Sequence, residues 1–184
     1  MILITGGSAS GKSEYGESLI LDSEYRNRIY IATMEPFGKE AKERIIKHQE
    51  MRKEKNFSTI ECYGMLTDEV VLWQIEQETL SESCILFECI SNYLSNNMFK
   101  SCEKANNIEE LIVLMIEELK KLDQACGELV IISNEIFSDG IRYDKETQDY
   151  IDFLGRINQE LAKLSHTVIE VVCGIPVEHK SLLN

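Results

Sequence analysis

Short uninterrupted apolar runs alternate along the chain with longer stretches in which apolar positions return at helical spacing. Ile2-Leu3-Ile4, Arg28 to Thr33, Ser83 to Glu88, Glu128 to Ser133 and Thr167 to Cys173 read as buried strands, with Ser58 to Glu61 a weaker one. A helix is predicted from Lys12 to about Leu21. A charged amphipathic helix follows Pro36-Phe37-Gly38 and runs to about Lys53. Thr67 can cap a helix through Gln77 that turns Val70, Val71 and either Leu72 or Trp73 inward. A polar, partly helical stretch reaches Ser101. Ile108, Leu111, Ile112, Met115, Leu119 and Leu122 then share one helical face, and Gly127 ends that helix. After a loop from Ile136 to Asp144, a long helix carries Tyr150, Phe153, Leu154, Ile157, Leu161 and Leu164 on one stripe. Strands that are apolar throughout, alternating with helices, predict a mostly parallel central sheet covered on both faces.

Composition narrows this picture. A length of 184 residues, with no repeat, low-complexity segment or linker, predicts one α/β domain over residues 1–184. No stretch approaches the length of a membrane span. The first strand and its loop begin so early that removal of a leader would destroy them, so a cytoplasmic location is expected. Cys62, Cys84, Cys89, Cys102, Cys126 and Cys173 form no C-x-x-C pair and read as reduced thiols. A net charge of −13 argues against nucleic-acid binding. Yet seven of the nineteen Lys and Arg lie between Gly38 and Lys55, a local anion site in an acidic chain.

The candidate chemistry begins directly behind the first strand. Gly6-Gly7-Ser8-Ala9-Ser10-Gly11-Lys12-Ser13 has the P-loop spacing, a glycine, four residues, then Gly-Lys-Ser. Its backbone N–H groups and the following helix N-terminus would face a polyphosphate. Lys12 would reach the β/γ-phosphates and the Ser13 hydroxyl would help hold Mg²⁺. The expected fold is therefore P-loop NTPase-like. Glu88, at a strand end, could act on Mg²⁺ through water, and Glu135 follows another strand end. Arg44, His48 and Arg52 share one helical face, with Lys47 close by. A neutral imidazole there could attack phosphorus while its neighbours hold phosphate oxygens, or it could be an exposed histidine among solvated charges.

These residues, taken in order, resemble the bifunctional adenosylcobinamide kinase / adenosylcobinamide-phosphate guanylyltransferase family of cobalamin biosynthesis. The resemblance rests on Ile2 to Ser13, on Tyr30-Ile31-Ala32-Thr33, on Arg44-Ile45-Ile46-Lys47-His48 with Arg52, and on Thr59-Ile60-Glu61. Leu86-Phe87-Glu88-Cys89 with Asn96, Asn134-Glu135 and Gly155 to Ala162 extend it over nearly the whole chain. It implies a kinase step on the aminopropanol hydroxyl of adenosylcobinamide, with ATP or GTP as donor. A second step then moves GMP from GTP onto that phosphate through a histidine, the position His48 occupies. It also implies that Ala32, Thr33, Met34, Gln49, Glu50, Met51, Arg52, Glu61 and Glu88 contact the guanine nucleotide, and that the chain forms a homotrimer. A carboxylate such as Glu61 can accept from both the N1–H and the exocyclic amine of guanine.

The chain departs from the family pattern in three places. Ile136-Phe137-Ser138-Asp139-Gly140-Ile141-Arg142-Tyr143 stands for Val-Gly-x-Gly-Ile-Val-Pro, Tyr150-Ile151-Asp152 for Phe-Arg-Asp, and Phe57 for a common tryptophan. The first two fall on the acceptor side of the kinase reaction. Two other readings fit the residues alone: a P-loop kinase of another alcohol with His48 idle, and a nucleotide-binding module without catalysis.

Overall fold

A computed structural model describes the chain except residues 77, 101–107, 138, 139, 142 and 182–184, and except the side chains of residues 40–42, 44, 47, 48, 51, 69, 70, 73, 76, 99 and 100. Gln77, Ser101, Cys102, three residues of the 136–143 loop, and the Val70 and Trp73 side chains of the expectations above lie outside the described residues.

Seven strands form one sheet: β1 (Ile2–Thr5), β2 (Asn27–Ala32), β3 (Phe57–Glu61), β4 (Ser83–Glu88), β5 (Glu128–Ile132), β6 (Thr167–Val172) and β7 (Ile175–Ser181). Their order is β3-β2-β4-β5-β1-β6-β7, parallel except for β7. The helices are α1 (Lys12–Asp22), α2 (Gly38–Arg52), α3 (Glu69–Glu76), α4 (Ile90–Lys100), α5 (Ile108–Ala125) and α6 (Lys145–Leu164), with a short 3₁₀ turn at Leu80–Glu82.

Strand alternation sorts the core onto two faces. Leu3, Ile29, Ile31, Ile85, Phe87, Leu129 and Ile131 meet α4, α5 and α6 through Tyr93, Leu94, Met115, Leu119, Leu154, Ile157 and Leu161. Ile2, Ile4, Tyr30, Leu86, Val130, Ile132, Ile169 and Val171 face the other way and close on Ile20 of α1. The helices and parallel strands thus stand as the apolar pattern predicts. Among the described residues no helix is long and apolar enough to cross a membrane.

Three local expectations are corrected. The stretch after β4 is a regular helix, α4, whose buried face is built on Ile90, Tyr93, Leu94 and Asn97. Thr67 does not cap α3; its N–H and hydroxyl both donate to Glu118 of α5. Beyond β6 the chain turns at Cys173-Gly174 and returns as the antiparallel edge strand β7, which was not expected. That hairpin turn braces the phosphate loop, since the Gly174 N–H donates to the Ser10 carbonyl at 2.8 Å.

Candidate functional site

Because β1 to β6 run in parallel, the loop after β1, the ends of β2, β3 and β4, and the residues after β5 all gather at one edge of the sheet. They surround a cavity of about 440 Å³ lined by Ser8, Ala9, Lys12 and Ser13, by Tyr30, Ala32 and Met34, by Thr59, Glu61 and Tyr63, by Glu88, Cys89 and Asn92, and by Ile132, Asn134 and Ile136. Ile45, Gln49 and Arg52 of α2 complete the wall.

The phosphate loop takes its shape from its glycines. A Cβ at Gly6 would sit 2.6 Å from the Val171 carbonyl oxygen, and Gly11 has φ +95°, a left-handed conformation that also caps α1. Gly11 offers no side-chain cap to the first turn of α1, an arrangement that suits an anion at this helix N-terminus. Lys12, only 7% exposed, lies back along the loop, its Nζ donating to the Gly7 carbonyl at 2.9 Å.

Glu88 joins the loop to the neighbouring strand. Ser13 Oγ donates to its Oε1 at 2.5 Å and Tyr30 Oη to its Oε2 at 3.1 Å. Burial first, then the Glu88 charge, raises the Tyr30 pKa well above the ordinary tyrosine value, so the phenol stays a donor. The Arg52 guanidinium lies 3.4 Å over the centroid of the same ring. On the far wall, burial and then the Glu61 carboxylate push Tyr63 up to about 12. The hydroxyl and carboxylate oxygens of Ser13 and Glu88 are the hard donors that Mg²⁺ prefers, and they stand together at the end of the phosphate loop, so they fit this ion. No group of three or more His, Cys, Asp and Glu that could hold a metal occurs among the described residues.

Of the residues expected from sequence, the cavity brings together Ser8, Ala9, Lys12, Ser13, Ala32, Met34, Gln49, Arg52, Glu61 and Glu88. Gly6, Gly7, Ser10 and Gly11 form the loop behind that surface. Thr33 does not reach the cavity: it is fully buried, with its hydroxyl donating to the Cys89 carbonyl and accepting from the Cys89 N–H. Glu50 faces a separate depression with Arg28, Lys53 and Lys55. Glu135 does not line the cavity, and its Oε1 accepts from the Phe137 N–H. The side chains of His48 and Met51 lie outside the described residues. The backbone position of His48 is nevertheless fixed in α2, one turn from Ile45 and from Arg52, which both line the cavity. Tyr30, Thr59, Tyr63, Asn92 and Asn134 were not singled out as ligand contacts from sequence. Tyr63, Asn92 and Asn134 follow strand ends, which could have suggested them, whereas Tyr30 and Thr59 lie within β2 and β3 and carry no such signal.

The other two histidines stand elsewhere. His166 precedes β6 and its N–H donates to the Met1 carbonyl, at the opposite edge of the sheet from the phosphate loop. His179 is on the edge strand β7, hydrogen-bonded to Glu170 at 3.0 Å.

Comparison with known proteins agrees with this geometry. Among solved structures, a protein from Pyrococcus horikoshii OT3 superimposes with a TM-score of 0.53 at 9% identity, over 100% of this chain and 87% of that one. An ATPase domain superimposes with a TM-score of 0.51, also at 9% identity, over 92% and 68%. At such identity the likeness concerns the fold, which is P-loop NTPase-like. The chain is 31% identical to the bifunctional adenosylcobalamin biosynthesis protein CobU of Escherichia coli K12, over 98% of this chain and 99% of that protein. It is likewise 31% identical to its counterpart from Salmonella typhimurium, over the same shares. A family model described as cobinamide kinase / cobinamide phosphate guanyltransferase matches residues 2–179, and the chain belongs to that family.

Proposed function

We propose that this chain phosphorylates the aminopropanol hydroxyl of adenosylcobinamide with ATP or GTP and then transfers GMP from GTP to the new phosphate, releasing pyrophosphate and giving adenosylcobinamide-GDP. One observation carries the reading. A single cavity is lined both by the phosphate loop and by Ile45, Gln49 and Arg52, the α2 residues that flank His48.

In the kinase step, the loop N–H groups and Lys12 hold the phosphates; the substrate hydroxyl oxygen bonds to the γ-phosphorus as the bond to the nucleoside diphosphate breaks in line, and the hydroxyl proton is released. Ser13 and Glu88 would hold Mg²⁺, which neutralises charge on the phosphate oxygens when bound. In the transfer step, a ring nitrogen of His48 attacks the α-phosphorus of GTP. A nitrogen–phosphorus bond forms as the bond to pyrophosphate breaks. An oxygen of the corrinoid phosphate then attacks the same phosphorus and frees the imidazole. Arg52 steadies phosphate oxygens, and Glu61 accepts from the N1–H and exocyclic amine of guanine. The working form in this reading is a cytoplasmic homotrimer of one domain per chain.

The test uses GTP labelled at the α-phosphate, incubated with the protein and Mg²⁺ and then denatured. The expected result is a protein-bound label, stable in base and lost in acid, that His48→Ala abolishes without loss of fold. A wild-type chain that turns over GTP with adenosylcobinamide phosphate but never carries label contradicts the covalent route.

A further inference from the structure

The cavity rests on a closed ring of side chains that ties α1 to α2. Ser13 of α1 donates to Glu88, Tyr30 donates to Glu88 from the other side, and Arg52 stacks on Tyr30. Behind Arg52 stands Glu17 of α1, whose Oε1 is 3.8 Å from Arg52 Nη1. Ser13 and Glu17 are one turn apart on the same helix face, so the ring closes on α1 itself. Lys55, just beyond α2, donates to the other oxygen of Glu17.

Glu17 is 0% exposed, and it does not line the cavity. Its pairing with Arg52 is poor as a stabilising contact: neither Glu17 Oε1 nor Arg52 Nη1 makes a hydrogen bond. A buried ion pair without good geometry recovers little of its desolvation cost. The carboxylate does, however, meet one cation in the C-terminal turn of α2 and one just after it.

We infer that Glu17 is a positioning residue for guanylyl transfer, holding α2 so that the histidine one turn before Arg52 meets the nucleotide seated on α1. This rests on the function proposed above. It separates the two half-reactions: phosphoryl transfer depends on the loop and Glu88, whereas guanylyl transfer also depends on the register of α2. Glu17→Gln keeps the shape and removes the charge that Arg52 and Lys55 answer. Glu17→Asp keeps the charge on a shorter arm.

The experiment compares three quantities in the wild type and both variants: label incorporated from α-labelled GTP, kinase kcat, and backbone amide exchange. Glu17→Gln is expected to slow label incorporation at least tenfold more than it slows the kinase. Exchange should rise over residues 45–55 and stay unchanged in β1 and β4. If Glu17→Gln does not fold, Glu17→Asp is read in the same way. Equal loss of both half-reactions with exchange raised throughout the sheet means a merely structural residue and overturns the inference. Unchanged labelling in a folded variant overturns it too. A wild type that takes no label defeats the proposed function instead, so the two failures are told apart.

Discussion

Two carboxylates are buried on opposite faces of the same sheet and are satisfied in different ways. Glu118 of α5, 7% exposed, accepts hydrogen bonds from the Leu66 N–H at 3.2 Å, the Thr67 N–H at 3.0 Å, the Thr67 hydroxyl at 2.6 Å and the Tyr93 hydroxyl. Glu17 of α1, fully buried, meets two long cationic side chains, one through a hydrogen bond and one at 3.8 Å without one. Backbone donors cannot move away, so Glu118 fixes the loop between β3 and α3 as part of the fold. The partners of Glu17 are two flexible cations, one hydrogen-bonded and one held by charge without a hydrogen bond. The contrast separates a carboxylate saturated by fixed donors from one answered by flexible cations beside the phosphate-loop helix.

The comparison can be broken at several points. The largest effect is expected at the phosphate loop, where Lys12→Ala should slow phosphoryl transfer about a thousandfold, in the range for losing one preorganised charge donor. Its denaturant midpoint should change little, and undiminished turnover would remove Lys12 from the assigned role. Glu118→Ala should do the opposite, lowering stability by about 3 kcal/mol because buried N–H groups and a buried phenol lose their acceptor. Urea unfolding measures this, and a shift below about 1 kcal/mol would erase the distinction between the two carboxylates.

The smallest effect lies away from both. Burial first, then the N-terminal ammonium, lowers the His166 pKa. The unfolded chain therefore binds the proton more readily, and this contribution to stability is present above about pH 6.5 and lost as pH falls toward the folded value. His166→Gln should flatten that part of the stability profile while leaving both activities alone. A loss of guanylylation in that variant would mean that the wrong histidine has been chosen.

Much of this fold is legible in the sequence itself. Strands such as Ile85-Leu86-Phe87 are buried on both faces, so their apolar runs announce a parallel sheet, and the P-loop keeps its chemistry within eight consecutive residues. β7 was invisible for the opposite reason. Ile175, Val177 and nearly all of that strand are exposed, Pro176 interrupts it, and the turn is Cys173-Gly174 rather than the more usual Asn-Gly. Tyr30 reads as one more core aromatic in an apolar run. Only the fold brings Glu88 to its hydroxyl and Arg52 to its face. The family resemblance implied contacts throughout Gln49 to Arg52, and helical rotation turns Gln49 and Arg52 toward the cavity and Glu50 toward a separate depression. Thr33 was expected near the nucleotide from the family resemblance alone, and its buried hydroxyl exchanges hydrogen bonds with the Cys89 backbone.

The central claim is that a triphosphate on the loop after β1 is attacked from α2. Peptide mapping by mass spectrometry, after the chain has been incubated with GTP and Mg²⁺ and digested under basic conditions, tests it most directly. A single guanylyl group is expected on the peptide containing His48 and none on those containing His166 or His179. A guanylyl group on any other residue, or none while guanylyl transfer proceeds, would contradict it.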